Sequence, residues 1–85
     1  MDFIRGRVVR SCAGHDKGSF LVVLRTEENR AVVCDGRRRS LEHPKRKNLR
    51  HLSMTSTVLP ENLMQTSCGI RRALAPFGRT GPLSR

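Results

Sequence analysis

The residues best suited to chemistry in this 85-residue chain are its three cysteines and three histidines. Cys12 and His15 have a Cys-x-x-His spacing that zinc sites can use. A zinc site needs a second close pair of ligands, and the sequence lacks one, because Cys34 ends an apolar run typical of a strand. Small thiols are commonly buried without any chemical role. We therefore expect no metal site.

Catalytic residues have no better support. The seven acidic residues are scattered, no nucleophile motif surrounds the Cys and His residues, and the sequence contains no phosphate-binding P-loop. A domain of this size buries only about 60% of its unfolded surface, which argues against an enclosed cofactor cavity. We therefore expect neither enzymatic activity nor a cofactor.

The strongest signal in the sequence is positive charge. The formal net charge is +10 and the isoelectric point is about 11.5. Seven of the 17 Lys and Arg residues lie in "GRRRSLEHPKRKNLRHL" (36–52), namely Arg37, Arg38, Arg39, Lys45, Arg46, Lys47 and Arg50. Such a field attracts polyanions, and binding releases the counterions condensed on them. Nucleic acid is therefore the expected partner.

A membrane partner is disfavoured, because no stretch is long enough to span a bilayer and no basic amphipathic helix stands out. The first residues, "MDFIRGRVV", lack the apolar core and cleavage site of a signal peptide. We therefore expect a cytoplasmic protein with reduced cysteines.

The elements that must position these charges are short strands. Apolar or alternating runs bounded by turn residues predict strands at 4–11, 19–25, 30–34 and 51–59. "TEEN" predicts a hairpin between the second and third, and "DG" at 35–36 closes the third. Gly14 and Gly18 can take positive φ, which makes "AGHDKG" a tight loop. Several short strands in about 60 residues imply a small, strongly bent β-barrel.

"PENLMQTSCGIRRALA" carries the helical signal of the chain. Leu63, Ile70 and Leu74 fall on one narrow stripe, although Gly69 and the cap-like Thr66 allow two short helical pieces instead of one. The final "APFGRTGPLSR" is rich in Gly and Pro. We therefore predict a domain at 1–75 and a flexible tail at 76–85.

Two stretches resemble a known family. "GRVVRSCAGHDKGSFLVVL" (6–24) resembles the KOW motif, with Gly14 at the characteristic glycine. "DGRRRSLEHPKRKNLRHL" (35–52) is similar to a segment of bacterial KOW-domain RNA-binding proteins, which are related to archaeal and eukaryotic large-subunit ribosomal proteins. "GIRRAL" (69–74) looks like the C-terminal "IRKAL" of those proteins. The resemblance covers roughly residues 3–75.

The resemblance implies a mainly β protein, a small SH3-like (KOW) β-barrel with a short C-terminal helical segment. It also implies non-catalytic binding of structured RNA, with ribosomal RNA or the ribosome as the expected partner and translation as the setting. We expect the protein to act as a monomer.

The predicted RNA contacts are the basic residues in and around the loop "AGHDKG" (13–18) and those of residues 36–52, hereafter the basic segment. They are Arg5, Arg7, Arg10, His15, Lys17, Arg37, Arg38, Arg39, Lys45, Arg46, Lys47, Arg50 and His51, with Gly14 and Gly18 shaping the loop. Leu41 is expected to anchor the segment by burial and Glu42 to hold it by a local ion pair. Pro44 disfavours helix, so 45–50 should form an extended arm.

Four alternatives stay open at this point. SH3-like barrels also bind peptides, but that use predicts an aromatic groove, and the chain has only three Phe and no Trp or Tyr. The protein could be an accessory factor of transcription or translation, or it could bind DNA. A nuclear-localisation role for the basic run is the weakest of these readings, because such runs occur often by chance.

Overall fold

A computed structural model describes residues 3–80, which form one antiparallel sheet followed by a helix. The strands are β1 (Arg7–Ser11), β2 (Phe20–Glu27), β3 (Arg30–Cys34), β4 (Lys45–Asn48) and β5 (Leu52–Val58). Short 3₁₀ helices occupy Leu49–His51 and Glu61–Met64, and helix α1 spans Ser67–Thr80. The strand order is β4-β3-β2-β1-β5. The predicted mainly β class with a C-terminal helix is confirmed.

The basic segment is part of the sheet. Its second half forms β4, which pairs antiparallel with β3 from Lys45 opposite Val33 to Asn48 opposite Arg30. The sequence predicts an extended arm here, and the arm is extended, but it is a paired edge strand. Both ends of the segment are therefore tied to the fold.

Both faces of the central strands are buried. Alternate residues of a strand point to opposite faces, and each face here has its own apolar cluster. One cluster lies beneath α1 and comprises Val8, Val22, Leu24, Val32, Cys34, Leu59, Met64, Ile70 and Leu74. The other lies within the curve of the sheet and comprises Val9, Leu21, Val23, Ala31, Val33 and Leu52. This explains why "FLVVL" and "AVVC" are continuous apolar runs.

The sheet curves because its ladders contain irregularities. The register shifts between Val23 and Arg25 where β2 meets β3, and between Arg7 and Val9 where β1 meets β5. Such bulges bend a strand and increase its twist. The 3₁₀ helix Leu49–His51 then links the two edge strands in three residues. The sheet stays open in residues 3–80, and its curvature is compatible with a small β-barrel-like fold.

Helix α1 begins at a cap and covers one face of the sheet. The Thr66 side chain accepts a 2.9 Å hydrogen bond from the Gly69 backbone N–H, as an N-cap residue does. The turn Glu61–Met64 is separate from α1, so the alternative of two helical pieces is the one observed. Ile70 and Leu74 are buried as the stripe predicts, but Leu63 is exposed.

The helix runs past residue 75, where the sequence predicts that the domain ends. Pro76 lies inside the helix although it cannot donate a hydrogen bond. The helix beyond this point brings the Phe77 ring against Phe20, with centroids 5.4 Å apart, and this packing offsets part of the cost of the proline. The predicted tail boundary thus falls inside α1, and residues 81–85 lie outside the described part of the chain.

Gly36 supplies a test of how tightly the β3–β4 connection packs on α1. Its φ is +77°, and a Cβ there would collide with the Ser67 carbonyl oxygen and lie 2.7 Å from the Arg71 backbone nitrogen. We expect Gly36→Ala to lower the free energy of unfolding by about 3 kcal/mol or more, measured by urea denaturation.

Gly18→Ala is the matched control for this substitution. Gly18 also has positive φ (+90°), but an added Cβ would meet nothing within 4 Å. Gly18→Ala should lower the free energy of unfolding by about 1 kcal/mol, from backbone strain alone. Equal losses in the two variants would contradict the close packing of Gly36 on α1.

Candidate nucleic-acid interface

The loop between β1 and β2 (residues 12–18, hereafter the glycine loop) is held by one carboxylate. Asp16 Oδ1 accepts hydrogen bonds from Ser11 Oγ at 2.8 Å and from Lys47 Nζ at 3.0 Å. Lys47 Nζ also donates to the Ala13 carbonyl at 2.9 Å, and Lys45 Nζ lies 3.8 Å from Asp16 Oδ2. Strand β4 therefore fixes the shape of this loop.

Lys47 has a different role from the one the sequence predicts. The residue is only 7% exposed, and its ammonium group is directed into the molecule, toward Asp16 and Ala13. Its neighbour Arg46 is exposed, since successive residues of a strand face opposite sides. Lys47 is thus a support of the glycine loop and not a side chain presented to a ligand.

The environment of Asp16 favours its charged form. Burial alone would raise the pKa of this carboxyl group. Hydrogen bonds from Lys47 and Ser11, together with the positive charges of Lys47 and Lys45, outweigh burial and lower the pKa of Asp16 below its ordinary value. Asp16 is accordingly ionised at neutral pH.

A second carboxylate shapes the turn after β3 (residues 35–39, hereafter the arginine loop). Asp35 Oδ1 accepts hydrogen bonds from the backbone N–H groups of Arg37 at 2.8 Å and Arg39 at 3.0 Å. The Arg39 carbonyl in turn accepts from the N–H groups of Asp35 and Gly36, both at 3.0 Å. The closed loop leaves the side chains of Arg37, Arg38 and Arg39 exposed.

The arginine loop is also fastened to helix α1. The Leu41 N–H donates a 3.0 Å hydrogen bond to Ser67 Oγ, and the Leu41 side chain packs against the cluster beneath the helix. The predicted anchoring by Leu41 is confirmed. The predicted ion pair of Glu42 is absent from the described residues: this side chain is exposed, and Asp35 holds the loop instead.

The two loops converge on one cleft of about 650 Å³, hereafter the larger cleft. His15 reaches it from the glycine loop and Lys45 from the start of β4. All three side chains of the arginine loop also line it, namely Arg37, Arg38 and Arg39. Five of the predicted contacts therefore share one concave surface.

A neighbouring cleft of about 480 Å³, hereafter the smaller cleft, extends this surface along α1. The two clefts share Ser19, Asp35 and Arg37. The smaller cleft adds Arg71 and Arg72, which the sequence interpretation omits although "GIRRAL" contains both. The signal was available, because two adjacent arginines in a helix beside an apolar stripe point away from the core.

Besides Lys45 and Lys47, three predicted contacts already have partners within the protein. Arg5 forms a two-pronged pair with Glu61, with nitrogen–oxygen distances of 2.9 and 2.8 Å. Hydrogen bonding between them raises the pKa of Arg5 and lowers that of Glu61. Arg46 pairs with Glu27 at 2.8 Å. Arg7 donates to the Thr55 carbonyl at 3.2 Å.

The other predicted residues lie outside the lining of the two clefts. The side chains of Arg10, Lys17, Arg50 and His51 are exposed. Gly14 and Gly18 both have positive φ, as the loop prediction requires. These residues stay candidates for contacts around the rim.

The thiols and histidines do not assemble into a chemical site within residues 3–80. No group of three or more His, Cys, Asp or Glu side chains there could hold a metal ion. Burial, followed by the negative charge of Asp35, raises the pKa of the Cys34 thiol to about 11. In the same part of the chain, no helix has the length and apolar character needed to cross a membrane.

Comparison of the chain with protein-family models and with curated proteins finds no match. The resemblance to KOW-domain proteins therefore rests on the sequence stretches at 6–24, 35–52 and 69–74.

Removing the carboxylate partner of the buried Lys47 should destabilise the fold. Asp16→Asn leaves the Lys47 ammonium group in place without its counter-charge. We expect the free energy of unfolding at neutral pH to fall by about 2–3 kcal/mol in urea titrations. Glu27→Gln is the control, because it breaks exposed pairs with Arg25 and Arg46 and should cost much less. A comparable loss in both variants would count against a supporting role for Asp16.

The same ion pair predicts a pH dependence of stability. Because the pKa of Asp16 is lowered on folding, its stabilisation is complete above the ordinary aspartate pKa and is lost as pH falls through the lowered value. Unfolding free energies measured from about pH 6 down to about pH 3 should therefore fall less steeply in Asp16→Asn than in the wild type. Parallel curves would show that Asp16 is not the titrating group.

Proposed function

We propose that this protein is a non-catalytic RNA-binding protein that docks on structured RNA through phosphate contacts, with ribosomal RNA as its first candidate. The observation that supports this most is the joined pair of clefts. Within the described residues, six cationic side chains line them, namely Arg37, Arg38, Arg39, Lys45, Arg71 and Arg72.

Preorganisation makes this surface more than a solvated patch of charge. The backbones beneath the cations are fixed by Asp16, Asp35 and Ser67 before any ligand arrives. Binding then loses little backbone entropy, and arginine suits two-pronged contacts with phosphate. Double-helical RNA is recognised mainly by its shape and by its phosphate and 2′-hydroxyl positions, for which a rigid basic cleft is suited.

RNA is favoured over other polyanions because of two stretches of the sequence. The stretches at 6–24 and 35–52 resemble KOW-domain RNA-binding proteins related to ribosomal proteins, and they contain the glycine loop and the arginine loop that meet at the larger cleft. On this proposal the protein acts as a cytoplasmic monomer associated with the ribosome.

The proposal predicts a steep dependence of affinity on salt. If about six cations engage phosphates, the log–log slope of the association constant against salt should be about −4 to −5. Arg37→Gln combined with Arg38→Gln should make this slope shallower by about 1.5–2 and weaken binding at least tenfold at low salt. Fluorescence anisotropy with a ribosomal RNA helix measures both quantities.

Arg25→Gln combined with Arg30→Gln is the control with the same change in net charge. Both residues are exposed near the β2–β3 hairpin and line neither cleft. This variant should change affinity by no more than about threefold. Equal losses in the two double variants would show diffuse attraction instead of a defined site, and a flat salt dependence would overturn the proposal.

Further arms identify the partner. Duplex DNA and tRNA measured under the same salt conditions should bind more weakly than the ribosomal RNA helix. Sedimentation of extracts from the source cell should place the protein with ribosomal particles. Equal affinity for duplex DNA and for the ribosomal RNA helix would contradict a preference for RNA and would indicate a protein that binds either kind of nucleic acid.

A further inference from the structure

The two clefts differ in the chemistry of their walls. The larger cleft is lined mainly by polar surface, with four cations, His15 and the two aspartates that organise the loops, Asp16 and Asp35, so cations outnumber carboxylates there. The smaller cleft has mainly apolar walls, to which Phe20, Leu74 and Ala75 contribute, and three arginines lie around it. A phosphate gains nothing from apolar walls, whereas a nucleobase has two large faces that do.

From this contrast we propose that the smaller cleft binds the base of an unpaired nucleotide in the RNA, while the larger cleft holds phosphates of the adjoining helix. This inference rests on the proposed function and adds a feature to the RNA that is recognised. It predicts a helix interrupted by a bulged or flipped-out nucleotide as the preferred partner.

The dimensions and composition of the smaller cleft suit this occupant. Its volume of about 480 Å³ lies within the range of small-ligand sites, about 300–1,000 Å³. Phe20 supplies an aromatic ring, and Arg71 and Arg72 supply guanidinium planes, both of which stack on unpaired bases in RNA-binding proteins. Ser19 and Asp35 add oxygen atoms that can accept hydrogen bonds from the N–H groups of a base.

Connectivity links the base to its backbone. Arg37 lines both clefts, so a phosphate bound beside it is adjacent to the entrance of the smaller cleft. The Phe20 ring is braced by Phe77 at 5.4 Å, and Gly36 packs against the first turn of α1 beside Arg71. The walls are therefore positioned before binding, as stacking on a single base requires.

The test uses three RNA hairpins of the same stem sequence. One has an unpaired nucleotide in the stem, one has an abasic residue at that position, and one is fully paired. The abasic hairpin keeps the extra phosphate, so it isolates the contribution of the base. By anisotropy at fixed salt, the wild type should bind the hairpin with the base at least about fivefold more tightly than the abasic one.

Ala75→Leu is the informative variant, because Ala75 is exposed and a larger side chain there narrows the cleft without altering charge. It should reduce the preference for the base-containing hairpin over the abasic hairpin to within about twofold. Ser56→Leu adds the same side chain at an exposed position of β5, outside both clefts, and should keep the preference. Circular dichroism verifies that each variant is folded, and Ala75→Met provides a second obstruction.

The outcomes separate this inference from the function on which it rests. Equal affinity for the base-containing and abasic hairpins overturns the inference and leaves phosphate-mediated RNA binding intact. A preference that survives Ala75→Leu and Ala75→Met also overturns it. Effective competition by a free nucleoside monophosphate at matched concentration would assign the cleft to a small nucleotide instead of RNA. Failure to bind any hairpin overturns both proposals.

Discussion

The structure depends on burying both faces of strands β1–β3 in a chain of only 85 residues. Helix α1 and the turn before it cover one face, and the curvature of the sheet encloses the other. The core of a small domain is marginal, so helix α1 and the curved sheet must both stay closely packed against these strands. The glycine loop and the arginine loop connect strands at one end of the sheet. Both are held against these packed elements, and both line the larger cleft.

The chain has few acidic residues, and four of them hold loops or pair with arginines. Asp16 and Asp35 each organise a loop from within, and Glu27 and Glu61 pair with arginines elsewhere on the surface. Four of the six acidic residues in the described part of the chain thus have defined partners. The basic side chains around the two clefts have few such partners, so the positive excess is concentrated where the loops meet.

Much of the fold could be predicted from residue patterns. The continuous apolar runs, the "DG" turn and the Pro and Gly residues between them locate three central strands, and Leu41 anchors the basic segment as predicted. Side-chain direction in "KRK" could not be predicted, because three successive cations have no polarity contrast to show which one faces inward. Lys47 is distinguished by its hydrogen bonds to Asp16 and Ala13, which are 31 and 34 residues away. The extension of α1 past Pro76 likewise depends on a distant partner, Phe20.

The close packing of Gly36 on α1 has a consequence for how the molecule opens. Native proteins open in cooperative segments smaller than the whole, and elements in steric contact tend to open together. Lifting the arginine loop away would break the hydrogen bond from the Leu41 N–H to Ser67 Oγ and the packing of Gly36 on the helix, so we expect the loop and the first turn of α1 to open as one such segment. Anything bound by the arginine loop therefore slows amide hydrogen exchange in the helix as well, through thermodynamic linkage.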